Sequence, residues 1–273
     1  MCRLFLNKKF QMLWEGKDPL VEAFAITGED FREVKARRTT RFEYDGKGYF
    51  IKLHSGIGWK EYFKDIFQLK KPVTGAGQEF DALIHLHKTG VPTMTEAAFG
   101  CRGWLKAYEK SFLVTEELCH VKSLEDLAKN NEGKISFPLR EKIIKALAES
   151  AGKMHRAGLN HRDCYICHFL LDEKLLAEED KVVLYVIDLH RAQIRKKVPL
   201  HFLVKDLAGL YFSAMTYMFP DKKDVCRFLK SYFVSSSSLR QIFSEHGPLL
   251  KKVQKAAEKL YEKENGRKMP QIF

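Results

Sequence analysis

The stretch His161-Arg162-Asp163-Cys164-Tyr165-Ile166-Cys167-His168-Phe169-Leu170-Leu171 decides how the rest of the chain is read. An aspartate follows a His-Arg pair and stands shortly before the apolar run Phe169-Leu170-Leu171. Upstream, Leu139, Ile143, Ile144, Leu147, Ala151 and Met154 recur at helical spacing, so a long helix leads into the stretch. Gly158 stands where that helix ends, because glycine enters the left-handed conformation of a C-terminal cap without a Cβ penalty. Downstream, Val182 to Ile187 reads as a short buried strand, and Asp188 closes it.

Working outward, the first half of the chain reads as mostly strands. Phe31 to Tyr44 mixes β-branched, aromatic and basic residues. Asp45-Gly46-Lys47-Gly48 signals a hairpin turn, and Tyr49 to His54 follows as a strand carrying one lysine, Lys52. Trp59, Tyr62, Phe63, Ile66 and Phe67 predict an amphipathic helix over Gly58 to Lys71. It reads either as a core-facing helix or as one whose Lys60, Lys64, Lys70 and Lys71 meet an anionic lipid surface. Gln78 to Lys88 reads as a second helix, with Glu79 near its start and Thr89-Gly90 and Pro92 at its exit. Ser111 to Glu116 reads as a strand.

The second half reads as mostly helical, with further helices over Val204 to Tyr217, Lys222 to Phe233 and Gly247 to Lys263, and a polar loop at Ser235 to Ser238. Strands first and helices after predict an α+β protein of two lobes, β-rich over 1–118 and mostly helical over 119–273.

Four residues then fall in a telling order: Lys52 in a strand, Glu79 in the next well-placed helix, Asp163, and Asp188 at a strand end. Kinases arrange their lysine, glutamate, catalytic aspartate and metal-binding aspartate in this sequence. A hydroxyl that attacks a γ-phosphate needs a carboxylate to orient it and accept its proton, which suits Asp163. Mg²⁺ is a hard cation that prefers oxygen ligands, which suits Asp188. The phosphates need a fixed positive charge, which suits Lys52, and a partly buried lysine needs a carboxylate partner, which suits Glu79. Singly, each residue has an ordinary structural reading as a snorkelling lysine, a solvated helix glutamate, or a loop or turn aspartate. Together and in order they point to phosphoryl transfer.

Composition agrees with a globular enzyme. Of the 273 residues, 45% are hydrophobic and 30% charged, which excludes wholesale disorder. The formal net charge of +12 suits an anionic partner. No apolar run is long enough to span a membrane, and Lys8 and Lys9 follow the short apolar start too soon for a secretory signal. The expectation is a cytoplasmic chain whose six cysteines are reduced.

The stretch at 161–171, with Val186-Ile187-Asp188-Leu189-His190-Arg191-Ala192-Gln193, resembles the lipopolysaccharide core heptose(I) kinase family (WaaP/RfaP type). So do Arg37-Arg38-Thr39-Thr40-Arg41-Phe42, Tyr49-Phe50-Ile51-Lys52 and Lys205-Asp206-Leu207-Ala208-Gly209-Leu210-Tyr211-Phe212-Ser213. The resemblance implies a bilobal protein-kinase-like fold. It implies transfer of the ATP γ-phosphate to a hydroxyl of the first heptose of the lipopolysaccharide inner core, at the cytoplasmic face of the inner membrane of Gram-negative bacteria. It also implies Asp163 as catalytic base, Asp188 as principal Mg²⁺ ligand, Lys52 on the phosphates and Glu79 positioning Lys52. The implied partners are the lipid-linked core oligosaccharide, a peripheral contact with the membrane, and acyl carrier protein, an acidic helical bundle; no nucleic acid is expected.

Two departures from the general kinase pattern stand out. His168 replaces the asparagine that usually follows the catalytic aspartate by five residues; imidazole suits Mg²⁺ less well than an amide oxygen. His168 is open to three roles: metal ligand, phosphate ligand or packing. The glycine-rich loop that covers nucleotide phosphates is also missing, and only Gly28, before Glu29-Asp30-Phe31-Arg32, stands near the expected first hairpin. The basic run Arg37 to Arg41 reads as a solvated strand or as a phosphate contact. Cys164-Tyr165-Ile166-Cys167-His168 matches the haem-attachment pattern and contains zinc-ligand types, but packed thiols are the expectation for a chain kept in a reducing compartment. Competing functions are a protein kinase, disfavoured by the lack of an A-P-E signature after Asp188, and a non-catalytic scaffold or nucleic-acid binder, disfavoured because all four residues are present.

Overall fold

A computed structural model describes residues 3–34, 36–56, 59, 75–103, 105, 108–234, 236 and 238–272. The helix expected over Gly58 to Lys71, including Lys60, Lys64, Lys70 and Lys71, lies outside these residues apart from Trp59. The chain divides into two compact units. One comprises Met1–Ile84, Met94–Cys119 and Leu189–Arg191; the other comprises His85–Thr93, His120–Asp188 and Ala192–Phe273.

The first unit is built on a six-stranded antiparallel sheet. Its strands are β1 (Arg3–Leu6), β2 (Glu29–Val34), β3 (Arg37–Tyr44), β4 (Lys47–His54), β5 (Glu96–Arg102) and β6 (Lys110–Glu116), in the order β1-β5-β6-β4-β3-β2. The β3–β4 turn is Asp45-Gly46, both at positive φ (51° and 69°), the pairing whose twist suits a two-residue hairpin. Alternation then sorts β4 into two faces. Tyr49, Ile51 and Leu53 join Phe112 and Val114 of β6 in a buried cluster. That cluster is closed by Phe10 and Trp14, brought in by helix α1 (Lys8–Leu13). The other face carries Lys52 and His54. Phe99 of β5 shares it and stacks on Phe80 of helix α3 (Gly77–Thr89), with ring centroids 4.3 Å apart. Helix α2 (Pro19–Ala25) is capped by Asp18, whose side chain accepts from the Leu20 N–H.

The second unit is mainly helical. Its helices are α4 (Leu124–Asn130), α5 (Phe137–Arg156), α6 (Glu173–Glu179), α7 (Leu200–Tyr217), α8 (Lys222–Tyr232) and α9 (Leu239–Asn265). A small sheet orders β10 (Leu184–Val186), β9 (Phe169–Asp172) and β7 (Val121–Ser123), and β8 (Leu159–Asn160) pairs with β11 (Gln193–Ile194). Helix α9 begins earlier than the expected Gly247. Ser238 caps it by accepting from the Gln241 N–H, and Pro248 lies inside. Proline forfeits one intrahelical hydrogen bond. Burial of Ile242, Val253, Ala257 and Tyr261 on either side keeps the helix continuous through it.

Candidate active site

In the second unit the site is built from the end of α5. Ala157 caps that helix and Gly158 follows at φ 82°. A Cβ at Gly158 would stand 1.8 Å from the Arg195 carbonyl oxygen, so only glycine lets the chain turn beneath β11. The chain then reaches His161, Arg162 and Asp163. Buried Asp206 of α7 fixes this loop: its carboxylate accepts the backbone N–H of His161 at 2.6 Å and of Arg162 at 2.8 Å. Arg162 has φ 74°, a left-handed conformation that a non-glycine residue adopts only when its surroundings impose it.

Asp163 sits between two imidazoles. Burial lowers the pKa of His161, so its ring is neutral near pH 7. Its Nε2–H donates to the Ile187 carbonyl at 2.9 Å, which leaves Nδ1 as acceptor for the Asp163 N–H at 3.4 Å. On the other side, Nδ1–H of His168 donates to the Asp163 carbonyl at 2.7 Å. The two rings lie parallel, 5.5 Å between centroids and 7° between planes. The second nitrogen of His168, Nε2, lies 3.6 Å from Asp188 Oδ2. Asp188 itself turns through positive φ (59°) at the end of β10, and Ile187 N–H donates to the His168 carbonyl. The loop of Asp163, the loop of Asp188 and His168 are thus one hydrogen-bonded assembly.

Asp188 fits a hard divalent cation: its carboxylate supplies oxygen donors, and the side chain is 29% exposed. His168 presents an imidazole nitrogen to the same place, a softer donor than Mg²⁺ prefers. Burial keeps the neighbouring thiols protonated: Cys164 is pushed well above the usual thiol range and Cys167 up to about 11. Cys164 is itself buried, and the C-x-x-C-H segment reads as packing around the loop.

In the first unit, Lys52 of β4 reaches Glu79 in the first turn of α3, with Nζ 2.5 Å from Oε1. The glutamate is 1% exposed and the lysine 16%, so each supplies the charge the other needs to stay buried. Gly28 does not lie in a hairpin turn. It precedes β2, where a Cβ would stand 2.1 Å from the Arg41 carbonyl oxygen, and backbone contact with β3 accounts for the glycine. The β2–β3 hairpin turns at the opposite end of these strands, between Val34 and Arg37.

Asp206 belongs to the assembly although no sequence argument assigned it a role, and His161, read from sequence as part of the His-Arg-Asp motif and among the zinc-ligand types, proves to hold the Asp163 backbone. The sequence signal for Asp206 is a lone carboxylate within Leu203-Val204-Lys205-Asp206-Leu207-Ala208-Gly209-Leu210, an apolar helical run in which a buried acid demands donors.

The model of the lipopolysaccharide kinase (Kdo/WaaP) family matches residues 22–232. The lipopolysaccharide core heptose(I) kinase WaaP of Pseudomonas aeruginosa is 46% identical over 262 residues, covering 96% of this chain and 97% of that protein. The protein of the same name from Escherichia coli strain K12 is 43% identical over 261 residues, covering 94% and 97%. A solved structure described as WaaP in complex with acyl carrier protein superposes with a TM-score of 0.81 at 42% identity, over 95% of this chain and 100% of that one.

Proposed function

The chain belongs to the lipopolysaccharide kinase (Kdo/WaaP) family and is a kinase of α+β, protein-kinase-like fold, and we propose that it transfers the γ-phosphoryl group of ATP to a hydroxyl of the first heptose of the lipopolysaccharide inner core. The observation that carries the chemical part of this reading is the clamped Asp163, held through its backbone on both sides by His161 and His168. A backbone held in this way presents its carboxylate from a fixed position, so less freedom is lost when it meets a substrate hydroxyl.

Asp163 orients the heptose hydroxyl and accepts its proton as the oxygen attacks phosphorus. Asp188 would hold Mg²⁺, with the imidazole of His168 beside its carboxylate; the cation would supply charge neutralisation for the phosphates during transfer. Lys52 holds phosphate oxygens, and Glu79 keeps the ammonium in place. In this account Gly28 serves strand packing rather than nucleotide contact.

A protein substrate is disfavoured by the chain between Asp188 and α7. Only a short 3₁₀ turn (Leu189–Arg191), β11 and a few linking residues precede Leu200, too little for the long activation segment on which protein kinases dock polypeptides. We further propose acyl carrier protein as a partner, supported by the relative described in complex with it and by the net charge of +12, which suits an acidic surface. The acceptor is then lipid-linked and met at the cytoplasmic face of the inner membrane; no helix among the described residues is long and apolar enough to cross that membrane. Transfer of radiolabel from ATP to purified core glycolipid tests the proposal.

A further inference from the structure

Three arginines of β3 have different fates. Arg41 is paired: its guanidinium donates to Glu117 at 2.8 and 2.9 Å and to Glu43 at 3.0 Å. Arg38 crosses to the other face of the sheet and donates to the Ile26 carbonyl at 3.0 Å. The Arg37 side chain makes no hydrogen bond or ion pair among the described residues, and its Nε is shielded from water. Leaving a charged donor without an acceptor is unfavourable unless a ligand supplies one.

The neighbours of Arg37 say what kind of ligand that is. Arg37 stands directly opposite His54 in the β3–β4 ladder, and Thr39 stands opposite Lys52. Opposed residues of an antiparallel pair share a face, and so do residues two apart on one strand. Arg37, His54 and Lys52 therefore project from the same side of the sheet, at its end nearest the β2–β3 turn. His54 is 4% exposed, and its Nε2 has no partner among the described residues. Burial, with Arg37, Lys52 and His190 nearby, pushes its pKa down to about 3, so the imidazole is neutral. Among the described residues, the acidic side chain that engages this group is Glu79, which meets Lys52 through one oxygen. The patch carries two fixed positive charges, a buried neutral donor and one carboxylate, a composition that suits a polyanion.

We infer that Arg37 and His54 form a phosphate subsite for the nucleotide, doing with side chains what the backbone of a glycine-rich loop does in other kinases. The inference rests on the kinase reading and on Lys52 as the phosphate lysine. It explains how this chain dispenses with a glycine-rich turn: the hairpin that would carry one ends instead on an arginine whose fork can engage two phosphate oxygens at once. Free inorganic phosphate and the phosphates of the glycolipid acceptor share this chemistry. The position beside Lys52 assigns the subsite to the triphosphate.

The test is calorimetric titration of the full chain with ATP and with adenosine, in the presence of Mg²⁺, for wild type, Arg37→Gln, Arg37→Lys and His54→Asn. Melting temperatures without nucleotide report whether each variant is folded. Arg37→Gln is expected to bind ATP at least about tenfold more weakly, the scale of a lost charge-assisted pair, with adenosine affinity unchanged. Arg37→Lys should recover part of the loss, because a point charge replaces the fork incompletely. His54→Asn should weaken ATP binding by a smaller factor. The KM for the glycolipid acceptor at saturating ATP should stay at the wild-type value in all three. Wild-type ATP affinity in both arginine variants overturns the inference and leaves the kinase reading standing. A raised glycolipid KM with unchanged ATP affinity overturns it too, moving the subsite to the acceptor. Failure of wild type to bind ATP at all would remove the kinase reading together with the subsite.

Discussion

The carboxylate of Asp206 accepts the backbone N–H of His161 at 2.6 Å, and so ties helix α7 to the loop that presents Asp163. The same carboxylate takes the Arg162 N–H and lies 3.4 Å from His155 Nε2. A buried acid with this many donors is a structural pin. It holds Arg162 in its left-handed conformation and thereby sets the direction in which Asp163 leaves the loop. Replacing Asp206 with asparagine keeps the volume and removes the charge. Hydrogen bonds to charged groups contribute about 1.5–3 kcal/mol each, so stability should fall by an amount of that order, and turnover should fall at least about tenfold because Asp163 loses its fixed position. Urea unfolding and kcat measured on one preparation check both. Asp206→Asn with wild-type kcat would show that the loop holds its shape without the pin.

Lys52 and Glu79 make a second pin, in the first unit. Removing only the lysine leaves a carboxylate that is 1% exposed without its counter-charge. Breaking a buried pair from one side costs about 3–5 kcal/mol, whereas replacing both partners by apolar groups is often nearly neutral. Lys52→Met should therefore lower the unfolding midpoint more than the double variant Lys52→Met/Glu79→Leu does. Both should be inactive, because neither holds the phosphates. Equal midpoints for the single and double variants would mean that the pair contributes nothing to the fold.

Much of this was legible in the sequence, for reasons that can be named. The helix over Phe137–Arg156 announced itself because an apolar stripe of helical period is unambiguous over that length, and Gly158 marked its end. The pairing of Lys52 with Glu79 was legible because a lysine in a buried strand needs a carboxylate, and the two stand 2.5 Å apart; Asp163 and Asp188 draw attention in the sequence as charged residues beside apolar elements. Strand β5 was not foreseen: Ala97, Ala98 and Gly100 have weak strand propensity, and their place in the sheet comes from pairing with β1 and β6. Helix α9 starts at Leu239 rather than at the expected Gly247, because the cap at Ser238 and the packing of Ile242 extend it upstream of Pro248. The basic run Arg37 to Arg41 leaves a solvated strand and a phosphate contact both open from sequence, and only register and partners separate its three arginines. Asp206 needed the tertiary fold, because its donors lie on a loop distant in sequence.

Acid should unfold the protein partly through buried histidine. Burial first, then the neighbouring Arg37, Lys52 and His190, hold the folded pKa of His54 near 3, well below the ordinary histidine value of 6.5. Below pH 6.5 the unfolded chain takes up a proton that the folded chain refuses. Stability from this residue is therefore complete above pH 6.5 and declines as pH falls toward 3, by up to about 1.4 kcal/mol for each pH unit. His54→Gln should show a shallower fall of unfolding free energy between pH 6.5 and 4 than wild type. Parallel curves for the two proteins would mean that His54 titrates normally in the folded state.

Asp188→Asn should raise the Mg²⁺ concentration needed for half-maximal activity, because the amide gives up the charge attraction to the cation. Activity followed across a Mg²⁺ series at saturating ATP checks this. Superimposable curves for variant and wild type would remove Asp188 from the metal site.

The central claim is that this chain phosphorylates core heptose with Asp163 as the base. The direct measurement is transfer of ³²P from the γ-position of ATP to purified inner-core glycolipid that lacks phosphate on its first heptose, by wild type and by Asp163→Ala at matched folded concentration. Positioned general bases contribute about 10²–10⁴-fold, so the label should appear on the glycolipid with wild type and fall by about that factor in the variant, with the unfolding midpoint little changed. Labelling of the glycolipid by Asp163→Ala at the wild-type rate, or no labelling by folded wild type, would contradict the account.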